Sequence, residues 1–240
     1  MTQDDSKLKR FYKQAEAVAA EAGGFEVRLD GRAVRTPAKA PLILPGRALA
    51  QAIAAEWSAQ EEKVEPASMP MMSLACTAID GVALRRAEVV EEVLRYGETD
   101  LLCYRAEQPS ELVQRQQRVW QPLLDWAARS LDAPLQVTSG VLAVPQPEDS
   151  LQALRRLVEA EGDLELTALA QAVSAAGSLI IGLALVRGQL DPEGAFEAAE
   201  LDASFQIELW GEDPEATRRR AVCRSDLEAA HRFRELLQEV

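Results

Sequence analysis

Apolar and polar residues alternate across residues 25–29, where Glu26 and Arg28 separate Phe25, Val27 and Leu29. A repeat of two puts the apolar side chains on one face of a strand. Asp30-Gly31 follows, a dipeptide that tight hairpins favour because both positions can take positive φ. The chain is then expected to return over residues 33–36 and to stop pairing at Pro37. Pro41-Leu42-Ile43-Leu44-Pro45 is a short apolar run between two prolines. A central strand tolerates proline poorly, so this run is expected as an edge strand or a connector.

From Pro45 the repeat lengthens. Leu49, Ile53 and Trp57 fall on one helical face, with Ala50 and Ala54 beside them. Residues 66–70 break the pattern, and beyond them almost everything reads as helix. Val90, Val93 and Leu94 make one stripe. Leu112, Gln116, Val119, Trp120 and Leu123 make another, expected to start at a Ser110 cap and to kink or restart at Pro122. Residues 135–144, around Thr138-Ser139-Gly140, are the later segment expected to be extended. Asp191-Pro192-Glu193 and Asp213-Pro214-Glu215 write two helix starts in the same way. Each sets a capping carboxylate before a proline at the first helical position, then an acid near the positive end of the dipole.

Residues 166–186 carry no charge. They are long enough to span a bilayer, which needs roughly 20 apolar residues. Their alanines, Thr167, Gln171, Ser174 and Ser178, and the glycines at 177 and 182, instead predict two buried helices that break near Gly177. No membrane insertion is expected. The fold class that follows is α+β. A small N-terminal domain with antiparallel β-structure is expected over residues 1–68, and a larger, mostly α-helical domain over 69–240.

Composition narrows the chemistry. A hydrophobic fraction of 48% and a charged fraction of 27% suit a folded chain. The net charge of −13 speaks against a nucleic-acid surface, which is built on excess Lys and Arg. One histidine excludes a zinc site of several imidazoles within the chain. Cys76, Cys103 and Cys223 are scattered with no CxxC, so neither a disulfide framework nor a metal site is expected, and a reducing compartment fits. The first seven residues lack an apolar segment and carry early acids. Bacterial cytoplasm is therefore expected, or the mitochondrial matrix for a eukaryotic source. P-loop, dinucleotide-binding, nucleophile-elbow and HExxH motifs are absent, and no cofactor is expected. His231 follows Cys223 by eight residues on one predicted helix, about 12 Å at roughly 1.5 Å per residue, too far for a nucleophile–base pair. Glu98 and Asp100 could form an acid/base pair in an isomerase or hydrolase, or could simply cap the backbone around them.

Charge is unevenly spread. Residues 1–40 hold eight Lys/Arg and six Asp/Glu, whereas residues 188–217 hold nine acids and no base. If the helix after Asp191 ran unbroken, Glu193, Glu197, Glu200 and Glu208 would share roughly 80° of arc at about 100° per residue. Leu201, Phe205 and Leu209 would form the adjoining apolar stripe. Such a face is either solvated or a docking surface for a basic partner, because like charges at i,i+4 cost a helix a few tenths of a kcal/mol per pair. Trp210-Gly211-Glu212-Asp213 closes the segment. Trp210 is an aromatic suited to an interface, although tryptophans are more often core.

Several segments, in order, resemble a family of ATP synthase assembly chaperones. They are Arg10-Phe11-Tyr12-Lys13, Leu29-Asp30-Gly31-Arg32-Ala33-Val34-Arg35-Thr36-Pro37, Thr77-Ala78-Ile79-Asp80 and Thr99-Asp100-Leu101-Leu102-Cys103-Tyr104-Arg105. Arg115-Gln116 with Trp120-Gln121-Pro122-Leu123-Leu124-Asp125-Trp126, the run from Gly177 to Leu185, and Trp210-Gly211-Glu212-Asp213 complete the set. The resemblance covers roughly residues 10–235. It implies a non-enzymatic protein that holds the free alpha subunit of F(1)-ATPase until it pairs with the beta subunit. It also implies a small β-containing domain followed by a helical one. The family's acidic position after Trp-Gly matters for activity and corresponds to Glu212, with Asp213 beside it. Cys76 departs from the family's pattern, where a polar amide is expected. On this reading the alpha subunit is the partner and the chain is monomeric when free. Leu201, Phe205, Trp210, Glu212 and Asp213 then contribute to capture. A generic acidic adaptor for basic proteins is the remaining alternative.

Overall fold

The computed structural model describes residues 9–21, 23–139 and 144–239. The chain divides into two compact units. One runs to Leu84 and takes in the chain from Arg232; the other is Arg85–His231.

The first unit holds an antiparallel sheet of β1 (Ala15–Ala19), β2 (Phe25–Leu29) and β3 (Arg32–Ala33), in that order. The alternation at 25–29 is β2, with Val27 and Leu29 buried. Asp30 (φ 48°) and Gly31 (φ 81°) form the two-residue loop that joins paired Leu29 and Arg32. The return is shorter than the alternation predicts. β3 ends at Ala33, although the Val34 N–H still donates to Val27 O at 2.8 Å, and Arg35 bridges to Pro41 instead. β1 is alanine-rich and shows no strong alternation; pairing along all five residues of β2 makes it a strand. The 41–45 run is a connector. Its Leu44 exchanges both backbone bonds with Phe25 at 2.8 Å. Helix α1 (Arg47–Ser58) lays Leu49, Ala50, Ile53 and Ala54 against β1 and β2, as its spacing predicts. Helix α2 (Pro70–Thr77) packs on α1 and runs into a π turn over Ala78–Val82.

The second unit is helical: α3 (Arg86–Glu98), α4 (Ser110–Ser130), α5 (Glu148–Glu159), α6 (Asp163–Ala176), α7 (Leu179–Val186), α8 (Pro192–Ala199), α9 (Leu201–Trp210) and most of α10 (Pro214–Gln238). β4 (Tyr104–Arg105) pairs in parallel with β5 (Thr138–Ser139). Residues 140–143, the rest of the expected extended segment, lie outside the described residues. Every residue of α7 is buried, with α3, α4, α6 and α8 packed around it. The uncharged stretch is thus the core of this unit. Among the described residues no helix is long and apolar enough to cross a membrane. As expected, α6 and α7 break at Gly177, and Asp191 caps α8 through the Gly194 N–H at 2.7 Å.

One local expectation fails, and of the two outcomes expected at Pro122 the restart does not occur. Ser110 is already helical and its hydroxyl makes no cap bond; the extended residue before it is Pro109. Helix α4 also runs through Pro122 without restarting. One lost backbone bond is outweighed by burial of Trp120, Leu123, Leu124 and Ala127 on the same helix.

Gly182 sets the approach of α7 to α6. A methyl group there would overlap the Val173 side chain and lie 3.1 Å from its backbone N. Gly182→Ala gains about 1 kcal/mol of helix propensity but forces an overpacked contact costing about 2 kcal/mol. A net loss of about 1 kcal/mol is expected in urea unfolding.

The small antiparallel sheet near the N-terminus and the helical remainder make the protein α+β, as the periodicity predicts.

Candidate functional site

The acid-rich segment does not form one helix. It breaks at Glu200, between α8 and α9. Glu200 is buried and accepts from Arg219 at 2.7 and 2.9 Å and from Arg220 at 3.0 Å. Glu193 pairs with Arg224, and Glu208 pairs with Arg115 at 2.7 Å. That guanidinium holds the Glu208 carboxyl below the usual range. Asp202 accepts from Gln116 Nε2 at 2.8 Å, while Asp191 and Asp213 cap helices. Six of the nine acids are therefore used inside the fold. Glu197, Glu212 and Glu215 have no hydrogen bond or ion pair to any described residue. The neutralising arginines come largely from α10, where Arg219, Arg220 and Arg224 follow the acidic run directly. Arg220 and Arg224 also sit over the Phe196 ring, 5.1 and 3.9 Å from its centroid.

The end of α9 is different. Trp210 is 79% exposed and Leu209 56% exposed. The tryptophan is thus not core, although most of its kind are. Gly211 follows at φ 84°, ψ 169° and turns the chain. Glu212 is exposed and free. Asp213 is exposed but committed, accepting the Glu215 and Ala216 N–H groups at 2.8 and 2.9 Å to start α10. Val222, 60% exposed, adds a further apolar side chain on α10. Leu201 and Phe205, expected beside these residues, are buried, and Arg115 lies over the Phe205 ring at 5.1 Å. The five expected residues therefore separate into an exposed corner (Trp210, Glu212, with Asp213 as its backbone anchor) and an interior pair that supports α9.

The paired-carboxylate alternative meets a different geometry. Glu98 is exposed, whereas Asp100 has no exposure. Asp100 accepts from Leu102 N at 3.0 Å, Ser178 Oγ at 2.7 Å and Ile180 N at 3.0 Å. Burial pushes its carboxyl up to about 6, against the opposing pull of those donors. It starts a 3-10 turn over Leu101–Cys103 and, with Ser178, the buried helix α7. A carboxylate so enclosed cannot meet a substrate. Burial likewise pushes the thiols up, to about 11 at Cys76 and Cys223 and about 12 at Cys103. Among the described residues no group of His, Cys, Asp and Glu is placed to hold a metal.

Several of the motif residues serve as clamps. Arg10 donates to backbone carbonyls of Tyr12, Lys13 and Gln60, and the Tyr12 hydroxyl donates to Trp57 O at 2.7 Å. Thr36 Oγ1 donates to Asp80 at 2.7 Å, joining two motifs that are far apart in sequence. Asp100 and Ser178 join two more. Trp120 Nε1 donates to Ala198 O at 2.8 Å, and Arg105 holds Leu102 O and Gln116 O. Trp210-Gly211-Glu212 stands apart, because its aromatic and its acid are exposed and neither side chain has a hydrogen bond or ion pair to any described residue.

Comparison with known proteins agrees with this arrangement. The family described as ATP12 chaperone protein matches residues 9–128. The chain is similar to the crystal structure of Atp12 from Paracoccus denitrificans, with 43% identity and a TM-score of 0.91 over 95% of this chain and 98% of that one. It is similar to the Atu1473 protein of Agrobacterium tumefaciens, with 44% identity and a TM-score of 0.91 over 95% of this chain and 86% of that one. Mitochondrial protein atp12 of Schizosaccharomyces pombe is 26% identical over 216 residues, 85% of this chain and 74% of that protein. With half the sequence matched by the family and nearly the whole fold shared with a 43% identical Atp12, the chain belongs to the ATP12 chaperone family, the assembly chaperones that its motifs resemble.

Proposed function

We propose that this protein binds the free alpha subunit of F(1)-ATPase and keeps it competent for assembly until the beta subunit takes its place. An unassembled subunit exposes an apolar contact region that would otherwise aggregate. Its holder needs a surface that covers this region and yields to the true partner. The observation that carries the reading is the corner at the end of α9. There Trp210 and Leu209 are exposed beside Glu212, a carboxylate with no partner among the described residues. An aromatic anchor with a free charge at its rim suits moderate affinity and fast, selective encounter.

Glu212→Lys tests this reading. The substitution touches no internal bond, so thermal unfolding is expected to stay unchanged. Suppression of alpha-subunit aggregation, followed by light scattering, is expected to fall at least tenfold in potency. Undiminished suppression would remove Glu212 from the site. Capture that vanished at high ionic strength and was competed by histone-like proteins would favour the generic acidic adaptor.

A further inference from the structure

The first unit carries an apolar groove of about 430 Å³, whose lining includes Trp57, Val64, Met69, Met72, Cys76 and Arg35. It lies wholly within that unit. Apart from the Cys76 thiol, Arg35 is its ionisable lining residue, and no acid lines it. Arg35 is exposed and donates to the Lys39 carbonyl at 2.9 Å, but no carboxylate among the described residues pairs with it. Arg32 and Lys39 are exposed nearby in sequence and are likewise unpaired. Asp80 reaches the same turn, accepting from Thr36 Oγ1 at 2.7 Å and Ala38 N at 3.0 Å, so Arg32, Arg35 and Lys39 leave the rim with an excess of cations over acids, in a chain of net charge −13. Trp57 Nε1 is shielded from solvent and finds no acceptor among the described residues. An occupant that parts the wall can supply one. The aromatic wall continues outward, since Trp57 stacks edge-on with Tyr12 (5.5 Å) and Tyr12 with Phe11 (5.3 Å), which is 66% exposed.

We infer that this groove is a second client-contact site, which takes an apolar peptide segment whose flanking Asp or Glu pairs with Arg35. The inference rests on the chaperone reading above and adds to it the chemistry of the client segment. Methionine walls adapt to different apolar side chains. A rim where Arg32, Arg35 and Lys39 outnumber Asp80 selects a negatively charged segment rather than a neutral one.

The test uses purified alpha subunit as the probe and measures its affinity for the full chain. Ser73, exposed on α2 at the groove, is replaced by tryptophan to obstruct it, and Arg35→Glu reverses the rim charge. Each is expected to weaken binding at least tenfold with thermal unfolding unchanged, while Arg35→Lys stays within about threefold of the parent. Parent-like affinity in both Ser73→Trp and Arg35→Glu overturns the groove inference and leaves the chaperone reading standing. Failure of the unsubstituted protein to bind alpha subunit at all sinks that reading first. Sedimentation of the unsubstituted protein alone as a dimer that Ser73→Trp dissociates would assign the groove to a second copy and overturn the inference.

Discussion

Replacing Asp100 by alanine is expected to cost about 3 kcal/mol of unfolding free energy at neutral pH. Three donors converge on this carboxylate in a site closed to water: Leu102 N, Ser178 Oγ and Ile180 N. Truncation orphans all of them. Each unsatisfied buried donor costs about 1–3 kcal/mol, and partial relaxation of the start of α7 recovers some of the sum. The pH dependence follows from the direction of the shift. Burial raises the folded carboxyl from an ordinary 3.8 to about 6. The folded state then binds its proton more tightly than the unfolded chain does. The contribution is fully present below the unfolded value and is lost as pH rises through 6. The margin of the parent over Asp100→Ala should therefore widen as pH falls from 7 towards 4 in urea titrations. A margin that narrows over that window would show that the donors, not burial, govern this carboxyl.

Glu200→Ala is the second large effect, about 2–3 kcal/mol. Glu200 is almost fully enclosed, and its removal leaves Arg220, itself only 17% exposed in its side chain, with Ser204 Oγ, the residue-200 carbonyl and the Phe196 ring but without its carboxylate. Arg219 is 59% exposed, so water takes over much of its solvation and its share is small. A double-mutant cycle between Glu200→Ala and Arg220→Ala should return a coupling of about 1–3 kcal/mol. It should also persist at high salt, because enclosed pairs are little screened. Zero coupling would mean that α10 is held against the α8–α9 junction by packing on Phe196 instead.

The periodicity of the sequence showed the elements whose burial is one-sided or complete. β2, α1, α3 and the α6–α7 break follow directly from spacing, and the Asp-Pro-Glu starts follow from backbone chemistry. The alanine-rich β1 escaped because its partner, not its own pattern, makes it a strand. The acidic run was misleading for a related reason. Nine acids without a base suggest a negative face, yet Glu193, Glu200 and Glu208 meet arginines from α10 and α4. The clustered Arg218-Arg219-Arg220, placed directly after the run, was the available signal. Trp210 and Glu212 were legible as a pair, whereas the burial of Leu201 and Phe205 depended on where α4 and α10 lie. The groove beside Trp57 was invisible, because a helical stripe does not reveal which of its residues lines an opening.

The turn at Gly211 has a consequence for how this segment can vary. Its backbone angles, φ 84° and ψ 169°, fall in a region that only glycine occupies without strain. Tryptophan and glutamate thus flank a residue that has no side chain of its own. Position 211 therefore works through its backbone angles, since a methyl group there would meet nothing within 4 Å. Any side chain there would strain or shift this backbone, and so change how the chain leaves Trp210 for Glu212 while leaving both side chains chemically intact.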